Sequence, residues 1–436
     1  MDARSINETY INIVKQHDFF SDFRELEYKI NHCNVIYKGK PVPFLYNPMF
    51  FTKHDLHNFS NIAQMIMNIG NKVVNEYVRD VNFRRKFAFP KNLEDLILID
   101  QGYKVNTPIG RFDIFYDGEN FSFCELNTDG SSAMNEDNTF ARFFLESAPI
   151  KLMKEKYHID YLECIDKWVE ESLKIYQEFN HNNKKPTVAI VDFIESATTS
   201  EFKEFKKAYE KKGYKTFICD IRELVYHNGK LLYQGEVIDL IYRRAVTKEV
   251  IEHYNEVLAF IEAYKNKAVC VVGSFKSQIM HNKVIFKVLH DEDTLQLLTK
   301  EEQEFVQRHI PLTKLLEEDS VNEVIKNKDK YILKPLDLYG SRGVFAGLDY
   351  DNDKWIEVVK KCVKNDYLYQ EYVKPYTRDF INYVNGKVCV NRYKCLIGLF
   401  IYNEEFSGLY TRVGENNIIS EIHGYYTLPN LIVDEK

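Results

Sequence analysis

Apolar residues recur three and four positions apart over much of the first 95 residues, for instance in HDLHNFSNIAQMIMNIGNKVVNEYV. This spacing places the apolar side chains on one face of a helix and predicts a mainly helical N-terminal region, residues 1–95. The pattern then changes to two short apolar runs around a turn, GRFDIFYDGENFSFCELNTDG (110–130), which predict a β-hairpin. The next segment, NEDNTFARFFLESAPIKLMKEKY, predicts a helix with Ser131 or Ser132 as its cap, so hairpin and helix form one unit, residues 96–160.

Short apolar strands alternate with amphipathic helices over residues 161–280. KKPTVAIVDF is typical of a buried strand, EFKEFKKAYEKKG of a helix and YKTFICD of the next strand, while GKLLYQGEVIDLIYRRA and KAVCVVGSF supply further strands. Strand–helix–strand order with short connections predicts a Rossmann-like α/β layer. The first strand is not followed by GxGxxG, so dinucleotide binding gains no support.

The last part of the chain, residues 281–436, mixes helices and strands. Helical HNKVIFKVLHDEDTLQLL and KEEQEFVQRHI precede the strand KYILKPLD, a glycine-bearing turn and GVFAGLDY. DKWIEVVKKCVK predicts a helix before YLYQEYV and further strands. The chain as a whole is therefore predicted to be an α/β and α+β protein.

Four polar residues occupy alternate positions of the hairpin, Arg111 and Asp113 on one strand and Glu125 and Asn127 on the other. A three-residue loop, 117–119, would pair Arg111 with Glu125 and bring all four to one face, whereas a two-residue loop would separate them. We therefore predict the odd-length loop. Two carboxylates and an amide oxygen suit Mg²⁺. The alternative is a half-exposed hairpin with a stabilising cross-strand ion pair.

Two later segments carry polar residues suited to a nucleotide. In YILKPLDLYGSRGVFAG, Lys334 ends an apolar strand, where its ammonium needs an anion or a path to water. Gly340 and Gly343 bracket a turn whose backbone N–H groups could approach phosphate oxygens. In YLYQEYV, Gln370 and Glu371 interrupt an aromatic strand, as expected either for the lining of a nucleotide cleft or for an amphipathic edge strand.

These segments follow the order and spacing of a known family. Arg111-Phe112-Asp113 and Glu125-Leu126-Asn127 match an RxD and an ExN motif, and the second precedes Lys334 by about two hundred residues. In ordinary ATP-grasp enzymes the Glu-x-Asn metal motif instead follows the nucleotide-binding lysines. The chain thus resembles the circularly permuted ATP-grasp ligases, and among them the synthetase domain of glutathionylspermidine synthetase, from about residue 96 to 436.

The resemblance implies a circularly permuted ATP-grasp fold. Residues 96–160 would carry its metal-binding hairpin, 161–280 would be a Rossmann-like pre-ATP-grasp domain, and 281–436 would hold the nucleotide. The resemblance also implies a role for each motif residue. Two Mg²⁺ ions would be held by Asp113, Glu125 and Asn127. The ATP phosphates would contact Lys283, Lys334 and the turn with Gly340 and Gly343, and the adenine would lie near Gln370 and Glu371. Arg111 and Arg412 would stabilise the transferring phosphoryl group and the acyl phosphate, and Ser132 and Glu136 would contact the carboxylate substrate.

The activity that the resemblance implies is ATP-dependent joining of a carboxylate to an amine through an acyl phosphate, with release of ADP and phosphate. Amino acids, small peptides and polyamines are the expected substrates. Ser132-Ala133 stands where relatives that make glutathionylspermidine have Ser-Cys, which argues against glutathione and spermidine themselves. Two alternatives remain, a degenerate protein that binds nucleotide without turnover and a phosphotransferase that stops at a phosphorylated product.

Charge, apolar content and cysteine spacing indicate which classes of partner and which cellular compartment to expect. A net charge of -7 with dispersed lysines argues against a nucleic-acid surface. MDARSINETYINIVK lacks the apolar core of a secretory signal, and no apolar run approaches the length of a membrane span. The eight cysteines form no CxxC pair. We therefore expect a cytoplasmic protein with free thiols that binds neither nucleic acid nor membrane.

Overall fold

The computed structural model describes residues 2–181, 184–336, 341–420 and 422–436. Within these ranges the α-helices are α1 (Ala3–Gln16), α2 (Phe20–His32), α3 (Lys53–Arg79), α4 (Val81–Arg84), α5 (Lys91–Ile97), α6 (Met134–Leu145), α7 (Ala148–Met153), α8 (Ile165–Phe179), α9 (Thr199–Lys211), α10 (Thr247–Glu252), α11 (Leu258–Lys265), α12 (Gln278–His281), α13 (Ile285–Val288), α14 (Glu292–Leu295), α15 (Lys300–His309), α16 (Val321–Lys326) and α17 (Asn352–Cys362). The β-strands in the same ranges are β1 (Ile36–Tyr37), β2 (Lys40–Pro41), β3 (Met49–Phe51), β4 (Ile109–Tyr116), β5 (Phe121–Asn127), β6 (Tyr157–Asp160), β7 (Val188–Asp192), β8 (Thr216–Asp220), β9 (Val225–His227), β10 (Lys230–Tyr233), β11 (Glu236–Val237), β12 (Leu240–Arg243), β13 (Cys270–Val272), β14 (Thr313–Leu315), β15 (Tyr331–Pro335), β16 (Phe345–Ala346), β17 (Tyr367–Glu371), β18 (Thr377–Val384), β19 (Lys387–Tyr402), β20 (Glu405–Gly414), β21 (Tyr426–Leu428) and β22 (Asn430–Glu435). Gly340, one glycine of the predicted phosphate-binding turn, lies outside the described residues.

The N-terminal region is mainly helical, as predicted, and α3 is its longest element. This helix begins at a capping box in which the side chains of Thr52 and Asp55 accept hydrogen bonds from each other's backbone N–H groups. Its apolar residues share one face, which packs against strands β19 and β20. Of the helices described, none has the length and apolar composition needed to cross a bilayer.

A four-stranded parallel sheet, in the order β8-β7-β12-β13, forms the predicted Rossmann-like layer. Its central strands β7 and β12 are buried along their whole length, which explains their continuous apolar sequences. Arg243 ends β12 and Arg244 follows it, and both arginines are buried and paired with acids. Two charged side chains thus lie at the carboxyl edge of this layer.

The largest sheet has six strands, in the order β21-β20-β19-β4-β5, with β18 paired to β19 beyond the end of β4. Strand β19 is 16 residues long, and it is covered on one edge by β18 and then β4, and on the other by β20. A second antiparallel sheet has four strands in the order β14-β17-β15-β16. Residues of both sheets line one cleft, so the two sheets together form the frame of the site.

The two ends of the described chain meet in a small sheet. Strand β22 pairs in parallel with β3 and antiparallel with β6. Residues on both sides of the predicted boundary at 95 therefore belong to one sheet, and the predicted domain limits remain predictions. The α/β and α+β class, with its Rossmann-like layer, is confirmed.

The turn of the β4–β5 hairpin is one residue longer than predicted. Tyr116 pairs with Phe121, so the loop covers 117–120 and the predicted loop 117–119 is wrong. The physical reason lies in Asp117, whose Oδ1 accepts hydrogen bonds from the backbone N–H groups of Glu119 and Asn120 at 3.0 and 2.8 Å. This local side-chain bonding stabilises the longer turn.

A β-bulge at Cys124 compensates for the even-length loop. The register shifts between Asp113 and Ile114, which leaves Cys124 as an extra residue on β5. As a result Asp113 pairs with Glu125, and Arg111 pairs with Asn127. The predicted pairing of Arg111 with Glu125 is wrong, but all the polar residues share one face because the bulge restores the alternation.

Helix α6 begins without the predicted serine cap. Its N-terminal cap is Ala133, which has a φ of 87°, and neither Ser131 nor Ser132 caps the helix. Instead, Glu201 Oε2 accepts hydrogen bonds from the backbone N–H groups of Ala133 and Asn135 at 2.9 and 3.2 Å. A carboxylate from α9, distant in sequence, thus satisfies the helix terminus.

A buried carboxyl on α6 predicts how stability depends on pH. Asp137 Oδ1 accepts from the backbone and side-chain nitrogens of Asn430, and burial raises its pKa from 3.8 to about 8. The folded protein therefore binds a proton that the unfolded chain has lost, so this group lowers stability as pH rises from about 4 to 8. In urea denaturation, the free energy of unfolding of Asp137→Asn should fall less steeply between these pH values than that of wild type. The two slopes should differ by up to about 1.4 kcal/mol per pH unit. Equal slopes would contradict the assignment.

Candidate active site

Polar side chains from neighbouring strands gather on one face of the six-stranded sheet. Glu125 lies opposite Asp113 across β5 and β4. Gly398 of β19 is next in this row, and Tyr410 of β20 follows it. Residues directly opposite each other on adjacent strands share a face, so the row crosses four strands. The same face also carries Arg111, Asn127, Arg412 and Thr427.

The carboxylate of Asp113 holds two arginines together. It has no exposed surface; Oδ1 accepts from Arg111 Nε and Oδ2 from Arg412 Nη2, both at 2.7 Å. Arg111 Nη1 also donates to the Ser132 carbonyl at 3.1 Å. Arg412 reaches across β19 to Asp113 at Gly398, where a Cβ would lie only 2.6 Å from Arg111 Cδ and 3.0 Å from Asp113 Oδ1. The missing side chain of Gly398 therefore provides the space for this arrangement.

The carboxyl of Glu125 is charged at every physiological pH. Burial raises its pKa, but nearby cations and the Asn127 amide outweigh burial and hold the pKa at about 2. The cations are Lys283, Lys334 and Arg412. Asn127 Nδ2 donates to Glu125 Oε1 at 3.0 Å, which leaves the amide oxygen for another partner.

The predicted metal ligands fit Mg²⁺ in their chemistry, because two carboxylates and an amide oxygen are hard oxygen donors. Glu125 and Asn127 line clefts, whereas Asp113 is buried with both oxygens bonded to arginines. Over the described ranges, no three or more His, Cys, Asp or Glu side chains cluster as a metal site would require. The metal role of all three residues remains a prediction.

A cleft of about 780 Å³ lies between the two antiparallel sheets. Phe115, Phe123 and Leu396 line it from the six-stranded sheet, and Ile332 from the four-stranded one. Its polar lining includes Glu125, Lys283, Lys334, Gln370, Glu371, Arg412 and Asn417. A slot with apolar walls and several cations has the chemical character of a nucleotide site, and we name it the first cleft.

Two of the predicted nucleotide residues, Lys334 and Gln370, are held by hydrogen bonds at the first cleft. Lys334 is buried and donates to the backbone carbonyl of Cys124, the bulge residue, at 3.0 Å. Gln370 is also buried and donates to Thr313 Oγ1 at 2.8 Å, whereas Glu371 is exposed at the cleft. The bulge that restores the hairpin face thus also supplies an acceptor for the lysine.

Strand β17 is an interior strand, so the alternative of an edge strand is wrong. It pairs with β14 on one side and β15 on the other. The backbone N–H groups of Glu371 and Tyr372 already donate to the carbonyls of Leu312 and Lys330 at 2.9 and 2.8 Å. These two N–H groups are therefore already engaged within the sheet.

The described part of the predicted glycine turn begins at Ser341. Ser341 and Gly343 have φ values of 58° and 70°, and the Val344 N–H donates to the Ser341 carbonyl at 3.3 Å. Positive φ at Gly343 explains the choice of glycine there. Ser341 and Val344 line the first cleft, and Gly343 is not among the lining residues.

A second cleft of about 1260 Å³ adjoins the first. It contains the predicted substrate residues Ser132 and Glu136 together with Arg111 and Asn127. Four residues line both clefts: Glu125, Lys283, Ser341 and Arg412. The two clefts therefore meet at a wall that carries one carboxylate and two cations, and we name it the shared wall.

Two buried ion pairs, which were not predicted from the sequence, hold the segment 129–135 in place. Asp129 pairs with Arg243 at 2.9 Å, and Glu201 pairs with Arg244 at 3.2 Å, all four side chains being buried. Arg244 also donates to the Ser131 carbonyl. The signal was the dipeptide Arg243-Arg244 directly after an apolar strand, since buried arginines require acidic partners.

The family model described as glutathionylspermidine synthase preATP-grasp matches residues 43–428. This chain belongs to that family. The match covers the six-stranded sheet, the Rossmann-like layer and all lining residues of the two clefts except Tyr37, and it confirms the predicted relationship to ATP-grasp ligases. No curated protein sequence matches the chain.

Solved structures support the fold of this preATP-grasp family member. A glutathione synthetase-like effector from Globodera pallida, in its apo form, has a TM-score of 0.62 at 10% identity, over 96% of this chain and 98% of that chain. A putative γ-glutamylcysteine synthetase from Methylobacillus flagellatus KT has a TM-score of 0.44 at 9% identity, over 89% of each chain. At these identities the likeness establishes the fold alone, and the first structure carries that conclusion.

The close approach at Gly398 gives a test of the arginine arrangement. We expect Gly398→Ala to lower the free energy of unfolding by about 1–3 kcal/mol, because the added methyl would collide with Arg111 and Asp113. In an Arg111→Ala background the cost should be smaller, since most of the colliding atoms are gone. Urea denaturation of the four proteins of this cycle measures the difference. If Gly398→Ala lowered the free energy of unfolding equally in both backgrounds, contact with Arg111 would not be the reason why residue 398 is glycine.

Proposed function

We propose that the protein is an ATP-dependent carboxylate–amine ligase that forms an amide through an acyl phosphate and releases ADP and phosphate. One observation carries the proposal: a cleft with apolar walls and two lysines meets a larger polar cleft at the shared wall formed by Glu125, Lys283, Ser341 and Arg412. Transfer of a phosphoryl group from a nucleotide to an acid requires such a junction.

The first cleft is suited to ATP. Its apolar walls can hold the adenine between the two sheets, as Phe115 and Leu396 face Ile332 and Val344 across it. The lysines Lys283 and Lys334 supply positive charge for the phosphates. When bound, Mg²⁺ would neutralise phosphate charge, and Glu125 and Asn127 are the cleft residues that would hold it.

Phosphoryl transfer needs positioning and charge neutralisation more than a protein nucleophile. Arg111 and Arg412 are fixed by one carboxylate, so their guanidinium groups are oriented before substrate arrives. A carboxylate of the acid would bind beside them in the second cleft and attack the γ-phosphorus. Ser132 lines the same cleft and is tied through its carbonyl to Arg111.

The substrates we propose are a small acid and a small amine, such as an amino acid, a short peptide or a polyamine. Ala133 replaces the cysteine of glutathionylspermidine-forming relatives, and its side chain is buried. This substitution speaks against glutathione as the acid. A screen of ADP release over acid–amine pairs should give at least one pair with release that requires both compounds and Mg²⁺.

The outcomes of the screen separate the alternatives. ADP release with an acid or another acceptor, but with no effect of any amine, would favour a phosphotransferase. Saturable binding of ATP and Mg²⁺ without ADP release from any pair would favour a nucleotide-binding protein without turnover. Either result would overturn the ligase proposal.

The metal assignment predicts the effect of two substitutions. Glu125→Gln removes a charged cleft carboxylate, and Asn127→Ala removes the amide oxygen. Both should lower kcat for ADP release by about 100-fold or more, because stabilisation of transition-state charge would be lost. Glu119→Gln, at the exposed hairpin tip, is the matched control and should behave as wild type. Full Mg²⁺-dependent turnover in either site variant would refute the assignment.

A further inference from the structure

Glu136 is a half-buried acid of the second cleft, and the hydrogen bonds recorded among the described residues hold one of its two oxygens. It lies in the first turn of α6 and lines the cleft with Arg111 and Ser132. Its Oε2 accepts from the Tyr410 hydroxyl at 2.8 Å and from Thr427 Oγ1 at 3.3 Å. A carboxylate anchored at one oxygen is held in position while the other remains for a substrate.

The tyrosine that anchors Glu136 also contacts the arginines of the shared face. The guanidinium carbons of Arg111 and Arg412 lie 5.3 and 5.6 Å from the centre of the Tyr410 ring. The ring is therefore next to both the Glu136 carboxylate and the cations at which an acyl phosphate would form. All of these side chains line the second cleft, so a reactant bound at Glu136 would lie in the same cleft as the arginines.

The surroundings of Glu136 favour a carboxyl that changes charge near neutrality. The groups that face it are Tyr410, Thr427 and Arg111, which lower its pKa, and Glu201, which raises it, while burial has the largest effect. Together they raise the pKa to about 7. Its neighbour Asp137 is fully buried and interacts electrostatically with Glu136, but it bonds to Asn430 and lines neither cleft.

We propose that Glu136 binds the ammonium group of the amine substrate and accepts its proton, and so acts as the general base of amide formation. This rests on the proposed ligase function. It reassigns Glu136, which the family resemblance had placed at the carboxylate substrate. Two carboxylates side by side would repel each other, whereas an ammonium group complements a half-buried carboxylate.

The step is balanced in atoms and charge. The Glu136 carboxylate takes one proton from the ammonium, which gives a neutral amine with a free electron pair. That pair forms the C–N bond at the acyl carbon, and the C–O bond to the phosphoryl group breaks with its electrons going to phosphate. One of the two N–H protons of the attacking amine leaves with the phosphate, the other stays in the amide, and Glu136 returns its proton to water.

Hydroxylamine separates this step from acyl-phosphate formation. It is uncharged at neutral pH and traps acyl phosphates as hydroxamates without a base, so it reports the first half-reaction alone. With the acid and amine found in the ADP-release screen, Glu136→Gln should lower amide formation by about 100- to 10,000-fold. Hydroxamate formation should stay within about threefold of wild type, which also shows that the variant folds. Asp137→Asn is the matched control and should retain both reactions.

Two further measurements test the base itself. Glu136→Asp should recover part of the amide formation that Glu136→Gln loses, because it restores a carboxylate. Amide formation by wild type should rise with pH through about 7, and Tyr410→Phe should move this rise to higher pH, since the lost hydrogen bond had lowered the pKa of Glu136. A purely structural role would leave the profile in place.

The outcomes distinguish this inference from the ligase proposal. Loss of hydroxamate and amide together in Glu136→Gln would return Glu136 to the acid substrate and overturn the inference. Wild-type amide formation in that variant would also overturn it, while the ligase proposal would stand. Wild-type protein that forms no hydroxamate with any acid would overturn both.

Discussion

The site depends on one buried charge, the carboxylate of Asp113 between the guanidinium groups of Arg111 and Arg412. A carboxylate without exposed surface is strongly unfavourable unless it is paired, and removing either partner of such a pair is more costly than a surface ion pair suggests. The pairing spans three adjacent strands, so it fixes how β4, β19 and β20 present their polar face. The guanidinium groups of Arg111 and Arg412 are therefore already oriented where they line the clefts on that face.

Three parts of the chain shape the second cleft. The six-stranded sheet supplies Arg111 and Arg412, and α6 supplies Glu136. Arg244 of the Rossmann-like layer acts indirectly, because it binds the carbonyl of Ser131, which lines the cleft. Glu201 from the same layer bonds the first turn of α6. The layer therefore has a structural task beside the second cleft although it contributes no GxGxxG motif. The first cleft is lined by the two antiparallel sheets together with Lys283 and loop residues that include Ser341 and Asn417.

The Rossmann-like layer, the hairpin and its polar face could be predicted from the sequence. Hydrophobic periodicity depends on neighbouring residues, and the order of motifs can be read directly along the chain. Prediction failed where side chains compete with the backbone or act over long range. The Asp117 carboxylate lengthens the hairpin turn, which alternation of apolar residues cannot reveal. The cap of α6 comes from Glu201, about seventy residues away in sequence, while two serines stood at the expected place. Arg243 and Arg244 were visible as charges after a buried strand, but one sequence does not identify their acidic partners.

The bulge at Cys124 has a consequence for a deletion in this strand. Strand β4 pairs with β19, whereas β5 lies at the edge of the sheet and pairs, among the described strands, with β4. Cys124 is the extra residue, so its deletion would join Phe123 to Glu125 and leave Asp113 opposite Glu125 in a regular ladder. The polar face would survive this deletion, whereas Lys334 would lose the Cys124 carbonyl that accepts its hydrogen bond. A single deletion at the bulge therefore removes an anchor of a lysine in the first cleft and leaves the polar face in place.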